Sequence, residues 1–300
     1  MKMLPRGVIA AVPTPVDASG SPDTERFLRH CEWALDNGCD GLNVLGSTGE
    51  ASSFGIADRL KIMNAAASNL DVSKLMVGTG MTDIATTITL TREASKLGFA
   101  AALVLPPYYY QPVTDEGIYR YFEDLCNATS SDAIPIFLYN FPAMTGVPFS
   151  RDVVVRLAQT LEGRIRGIKD SSANIPYCRD LAAALPEFYV FPSSETCLTS
   201  AKSDGFAGCI SATTNITGPV AGRIWHQDEY HGRDDDAAFI ADIRDRVAAN
   251  PLIPAVKFIV ANSKEDIEYE RVLPPFIELD GNQKKMLHDV ADLVAKRAKI

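Results

Sequence analysis

The chain has 300 residues, 46% hydrophobic and 22% charged, with a formal net charge of -9, a composition suited to two small domains or one large α/β barrel with a substantial core. Acidic and basic residues are interspersed and not blocked, which argues against a nucleic-acid groove or a membrane-binding face and makes a small molecule the expected partner. Six cysteines without a C-x-x-C pair read as reduced, buried thiols, and no apolar window approaches the ~20 residues of a membrane span, so a cytoplasmic protein without disulfides is expected.

Short apolar runs recur along the chain, each ended by Gly, Pro, Asn or Ser and followed by a segment of helical period. The first is GVIAAVP, 7–13, followed by the amphipathic TERFLRHCEWALDNG. The second, GLNVLG at 41–46, runs into Gly46-Ser47-Thr48-Gly49-Glu50. Two glycines around two hydroxyl residues permit a tight turn whose N–H groups converge on a carboxylate or phosphate. An ordinary strand-to-helix turn with a capping hydroxyl is the plainer reading of that string. A nucleophile elbow is excluded, because Leu45 stands where G-x-S-x-G requires glycine.

LMVGTG at 75–80 and AALVLPP at 101–107 are the third and fourth runs, with DIATTITLTREASKLG between them. PPYYYQP at 106–112 then forms a rigid aromatic knuckle, as suited to an interface as to a site. The fifth run, IPIFLYN at 134–140, leads into FLYNFPAMTG. Tyr139 shares a strand face with Phe137 and Pro135, and a phenol at that strand end can pass protons, although packing tyrosines are commoner there.

The sixth run, RGIKD at 166–170, carries a lysine in an apolar strand. Period two places Ile165, Gly167 and Lys169 on one face, with the small Gly167 leaving room beside the lysine. An ammonium buried there loses solvation, which favours the free amine and Schiff-base chemistry. Snorkelling past the strand end, or pairing with Asp170, is an equal alternative from the strand alone. Lys257, in IPAVKFIV, is the nearest rival, and its helical setting suggests an exposed or capping role.

FYVFPSS at 188–194 and GFAGCIS at 205–211 complete eight runs. Eight alternating units predict a closed (β/α)8 TIM barrel over residues 1–228, with an open doubly wound sheet as runner-up. The open sheet lacks its phosphate turn, since GTGMTD at 78–83 has no third glycine. DDDAAFIADIRDRVAAN, IPAVKFIVANS and GNQKKMLHDVADLVAKRAKI then predict a C-terminal helical extension over 229–300. The four histidines are scattered, and neither a metal nor a bound cofactor is expected.

Taken together, GSTGE, PPYYYQP, YNFPAMTG and GIKD, in that order, resemble the N-acetylneuraminate lyase and dihydrodipicolinate synthase family of pyruvate-type class I lyases. The resemblance implies that Lys169 forms a Schiff base with a 2-keto acid such as pyruvate, without a cofactor. It assigns Tyr139 as the proton-transferring phenol, and Ser47, Thr48 and the turn backbone from Gly46 to Gly49 as the carboxylate cradle. Tyr109 would reach into a neighbouring subunit's site within a homotetramer, and Ile210 would lie over the Schiff base.

One departure concerns Met144, which stands where members that make dihydrodipicolinate carry arginine. Methionine cannot make that bidentate charged contact, which counts against dihydrodipicolinate synthase activity. FPSSETC at 191–197 also differs from the neuraminate pattern, with Ser194, Glu195 and Thr196 placed to contact a polyhydroxy chain. The expected substrate is therefore a 2-keto-3-deoxy sugar acid or 4-hydroxy-2-ketoglutarate, cleaved to release pyruvate. A dehydratase using the same Schiff base and a non-catalytic keto-acid-binding barrel are the alternatives.

Overall fold

The computed structural model describes residues 4–299, and the eight apolar runs form eight strands. These are β1 Gly7–Ala11, β2 Gly41–Val44, β3 Leu75–Gly78, β4 Ala101–Val104, β5 Ile136–Asn140, β6 Ile165–Asp170, β7 Tyr189–Pro192 and β8 Gly208–Ser211. Between them lie α1 Thr24–Asp36, α2 Ile56–Asn69, α3 Ile84–Lys96, α4 Asp115–Ala128, the single turn α5 Pro142–Thr145, α6 Arg151–Thr160 and α7 Ile175–Ala184. α8 Thr214–His226 follows β8, whereas β7 leads only into a 3-10 turn, Glu195–Thr199. Asp23, Asp83, Thr114, Ser150 and Asn174 cap α1, α3, α4, α6 and α7, each accepting from the N–H three residues on. Such a cap satisfies an otherwise orphaned donor and contributes about 1 kcal/mol.

The strands pair in parallel in the order β7-β6-β5-β4-β3-β2-β1-β8. The ends of that order meet just before β8, where Ala207 donates its N–H to Val190 O at 2.9 Å and its carbonyl accepts from Gly7 at 2.7 Å. The sheet is therefore a barrel and not the open alternative. Alternate side chains separate into two layers. Ile9, Ala11, Met76, Leu103, Phe137, Tyr139, Phe191 and Ile210 belong to one buried cluster, which fills the barrel. Val8, Leu42, Val44, Val77, Val104, Leu138, Ile168 and Val190 belong to another, against the helices.

Strand parity fails at one point. The β5/β6 register runs from Ile136 opposite Ile165 directly to Phe137 opposite Gly167, a bulge at Arg166. Ile165 consequently joins the outer cluster with Ile168, not the face of Gly167 and Lys169, because an extra residue reverses alternation on one side of a bulge. Gly167 also makes room for something other than the lysine. A Cβ there would lie 2.3 Å from Phe137 Cε1 and 2.5 Å from Tyr189 O.

Beyond α8 come α9 Arg233–Ala248, α10 Leu252–Lys264, α11 Gly281–Leu287 and α12 Val290–Arg297, whose apolar faces build a separate cluster with Ile216 of α8. The last predicted helical segment is split at His288-Asp289. Arg246 of α9 takes the Met286 carbonyl at 2.8 Å and the Asp289 carboxylate at 2.5 Å. Met286 O is the acceptor that a continuous helix would need for the N–H of residue 290. All six cysteines are free and buried, and among the described residues no helix is long and apolar enough to cross a membrane.

Candidate active site

β5 and β6 are neighbours, with Tyr139 in register with Lys169 and Asn140 with Asp170. Lys169 is only 4% exposed, and its Nζ lies 4.6 Å from the centroid of the Tyr139 ring, within the range of a cation–π contact. Pairing between Lys169 and Asp170 is corrected by the geometry. Asp170 Oδ2 accepts from Asn140 Nδ2 at 2.6 Å, and Oδ1 accepts from the Ser172 hydroxyl at 2.7 Å and its N–H at 3.1 Å. Oδ2 thus serves the end of β5 and Oδ1 the adjoining loop, which leaves the lysine to the barrel interior.

The Tyr139 hydroxyl lies 3.2 Å from Ser47 Oγ, and either can donate. This pair joins the end of β5 to the turn after β2. The turn begins and ends on non-glycine residues in the left-handed region, Leu45 at φ 54° and Glu50 at φ 53°, a conformation that costs about 1–2 kcal/mol per residue unless its surroundings hold it. Within it Gly49 donates to Gly46 O at 3.1 Å, Glu50 to Ser47 O at 3.0 Å and Ala51 to Gly46 O at 3.3 Å. The N–H groups of Ser47 and Thr48 have no acceptor among the described residues, so they are the donors open to an anion. Gly46 packs over Asn43, where a Cβ would meet Nδ2 at 2.5 Å, and Gly49 over Val12 O at 3.0 Å.

Ile210 is fully buried in the barrel cluster, in register with Ile9. Tyr109 is 76% exposed and sits edge-to-face on Tyr110 at 5.4 Å. Its loop is fastened to α5 through Gln111 Nε2, which donates to Thr145 O at 2.6 Å. Met144, on that same turn, is 67% exposed. Ser194 caps the 3-10 turn after β7, its hydroxyl 2.7 Å from Thr196 Oγ1.

Glu195 does not have the role its position in the sequence suggested. It is buried, and its carboxylate accepts from Ser211 Oγ at 2.6 Å, Thr213 Oγ1 at 2.5 Å, Thr217 Oγ1 at 2.9 Å and Arg244 Nη1 at 3.1 Å. These partners belong to β8, to the N-terminus and first turns of α8 and to α9, so both carboxylate oxygens are already engaged within the protein. Lys257 also departs from its expected exposed or capping role: it is fully buried on α10 and ion-paired with Glu50.

Sequence reasoning missed Asn140, which ties β5 to β6 through Asp170 while its Oδ1 accepts from Phe149 N at 3.1 Å. It also missed Phe141, whose ring centroid lies 5.8 Å from that of Tyr139. The available signal was their position directly after Tyr139, where a strand that carries chemistry needs its end fixed. Among the described residues no group of three or more His, Cys, Asp or Glu side chains is placed to hold a metal ion.

Residues 4–293 match the model of the dihydrodipicolinate synthetase family. An uncharacterized DapA-like lyase of Chloroflexus aurantiacus is 32% identical over 257 residues, covering 84% of this chain and 85% of the relative. The crystal structure of dihydrodipicolinate synthase from Agrobacterium tumefaciens superposes with a TM-score of 0.88 at 26% identity, covering 96% of this chain and 99% of that one. YagE, a prophage protein of the same family from E. coli, solved in complex with pyruvate, superposes with a TM-score of 0.87 at 27% identity, over 97% and 98% of the two chains.

Proposed function

Since the chain belongs to the dihydrodipicolinate synthetase family and is a lyase of that family, we propose that it uses Lys169 to form a Schiff base with a 2-keto acid and breaks the carbon–carbon bond that releases pyruvate. The observation that carries this reading is the buried Lys169 beside the Tyr139 ring, with the Tyr139 hydroxyl 3.2 Å from Ser47. In the proposed sequence the free amine attacks the keto carbon, and the resulting carbinolamine loses its oxygen as water after proton transfer from the Tyr139 hydroxyl. The iminium accepts the electron pair of the scissile carbon–carbon bond as the distal hydroxyl gives up its proton and becomes an aldehyde. The enamine left behind takes a proton and is hydrolysed to pyruvate and free lysine. Ser47, Thr48 and the open N–H groups of the turn hold the carboxylate of the keto acid, and Ile210 walls the site from β8.

No cofactor is needed, because the iminium is itself the electron sink. Met144 replaces a charged contact with an apolar side chain at the mouth, which supports an uncharged hydroxylated distal end, as in a 2-keto-3-deoxy sugar acid, over the second substrate of dihydrodipicolinate synthase. The relative bound to pyruvate supports the keto-acid assignment. The exposure of Tyr109 supports an assembly of tight dimers in a tetramer, with this ring entering the partner's site, and residues 229–300 are proposed as an extension appended to the barrel unit.

The test is borohydride reduction in the presence of pyruvate, which is expected to add about 72 Da to the peptide containing Lys169, as for any reduced pyruvate imine. The Lys169→Ala protein is expected to show none. Folded wild-type protein that forms no adduct would overturn the reading. A screen of 2-keto-3-deoxy acids then separates outcomes: pyruvate plus an aldehyde supports cleavage, and a diketo product of unchanged carbon count means dehydration.

A further inference from the structure

The carboxylate cradle is held from outside the barrel. Glu50, the left-handed residue that closes the Gly46–Gly49 turn, is buried and directs both carboxylate oxygens to the C-terminal extension. Oε1 pairs with the Lys257 ammonium on α10, and Oε2 accepts from Leu273 N at 2.6 Å. Lys257 Nζ also donates to Arg271 O at 2.6 Å, and Ser53 Oγ donates to Pro274 O at 2.8 Å. Burial pulls the Lys257 pKa down, and the Glu50 carboxylate pushes it back. A buried lysine and a buried glutamate each lose heavily if the other is absent, so the pair has one arrangement, which pins the end of the turn.

The start of that turn carries Ser47, bonded to Tyr139, and the two N–H groups without internal acceptors. We propose that Lys257 is a positioning residue for the active site: the ion pair from α10 to Glu50 fixes the turn in the geometry that binds the carboxylate of the keto acid. The helical extension is then part of the catalytic apparatus, although it presents no group to the substrate. This inference rests on the Schiff-base reading above for its kinetic consequence, but not for its mechanical one.

The experiment compares wild type, Lys257→Met, and the double variant Lys257→Met with Glu50→Gln. The double variant removes both buried charges and keeps an amide oxygen for Leu273 N, so it serves as the folded case if the single variant fails to fold. In the double variant the pyruvate concentration that half-saturates adduct formation is expected to rise roughly 10- to 100-fold, the scale on which small misplacements act. Adduct formation at saturating pyruvate is expected to fall less. Hydrogen exchange at the N–H groups of residues 47–53 is expected to accelerate in the same protein while the barrel strands stay protected. Half-saturation within twofold of wild type, in a protein that keeps its melting temperature, would overturn the inference. If wild type itself forms no adduct, the Schiff-base reading falls, and the exchange measurement decides alone: faster exchange confined to this turn supports the proposal, and unchanged exchange overturns it.

Discussion

Glu195 separates the two readings of the segment after β7. The sequence places it to touch the distal end of a substrate, whereas the structure gives its carboxylate to Ser211, Thr213, Thr217 and Arg244. Replacing Glu195 by Gln keeps the shape and removes the charge. One nitrogen must then face hydroxyl groups that previously donated to an oxygen, and Arg244, 27% exposed, loses its counter-charge while keeping its bonds to the Ser211 and Thr213 hydroxyls. Hydrogen bonds to charged groups contribute about 1.5–3 kcal/mol each, but the serine and threonine hydroxyls can rotate to accept and Arg244 can reach water. A net loss of about 2–3 kcal/mol follows for Glu195→Gln. Glu195→Ala also leaves a cavity and approaches the 3–5 kcal/mol that accompanies loss of one partner of a buried ion pair. At about 2 °C per kcal/mol for a chain of this size, differential scanning calorimetry should find Glu195→Gln melting about 4–6 °C lower than wild type. KM for the distal part of the substrate should remain within about threefold, well under the tenfold that 1.4 kcal/mol of lost contact produces. A protein with unchanged melting temperature and KM raised more than tenfold would refute the engagement of the Glu195 carboxylate within the protein.

Gly167→Ala is expected to destabilise by about 1–3 kcal/mol, as overpacking does, because its Cβ would meet the buried Phe137 ring and the Tyr189 carbonyl; a melting temperature equal to wild type would contradict the close approach. Tyr139→Phe keeps the ring against Lys169 but removes the hydroxyl bonded to Ser47, and kcat is expected to fall roughly 10²- to 10⁴-fold; steady-state turnover within threefold would remove Tyr139 from the proton path. His30 is buried with Nε2 2.9 Å from Asn215 Oδ1. Burial first, and Lys264 in addition, lower its pKa from 6.5 to about 4, against the Asn215 bond. The unfolded chain therefore binds a proton that the folded one refuses, so stability is complete above pH 6.5 and falls as pH drops toward 4. The loss is about 2 kcal/mol at pH 5, and urea denaturation should show it in wild type and a flatter dependence in His30→Gln.

Much of the architecture is written locally. The apolar runs at 7–13, 41–46 and 101–107 become strands because β-rich segments bounded by turn residues have few other solutions, and α1, α3 and α6 begin at the acceptors that cap them. The shared faces of Lys169 with Gly167 and of Tyr139 with Phe137 were legible for a related reason: both pairs lie on stretches where period two is unbroken, past the bulge. What a sequence cannot carry is the partner reached by closing the chain on itself. The bulge at Arg166 arises from the register between β5 and β6, and it moved Ile165 to the outer layer. Glu195 is engaged inside the protein because β8, α8 with its N-cap, and α9 bring three hydroxyls and an arginine to it. Lys257 looked like a surface charge on an apolar helix until the fold set it against Glu50. The amino-acid sequence by itself determined which residues could do chemistry, because side-chain type and strand period are local. Only the tertiary structure decided which charges are taken up in buried pairs, because a buried charge takes its role from the partner that folding brings to it.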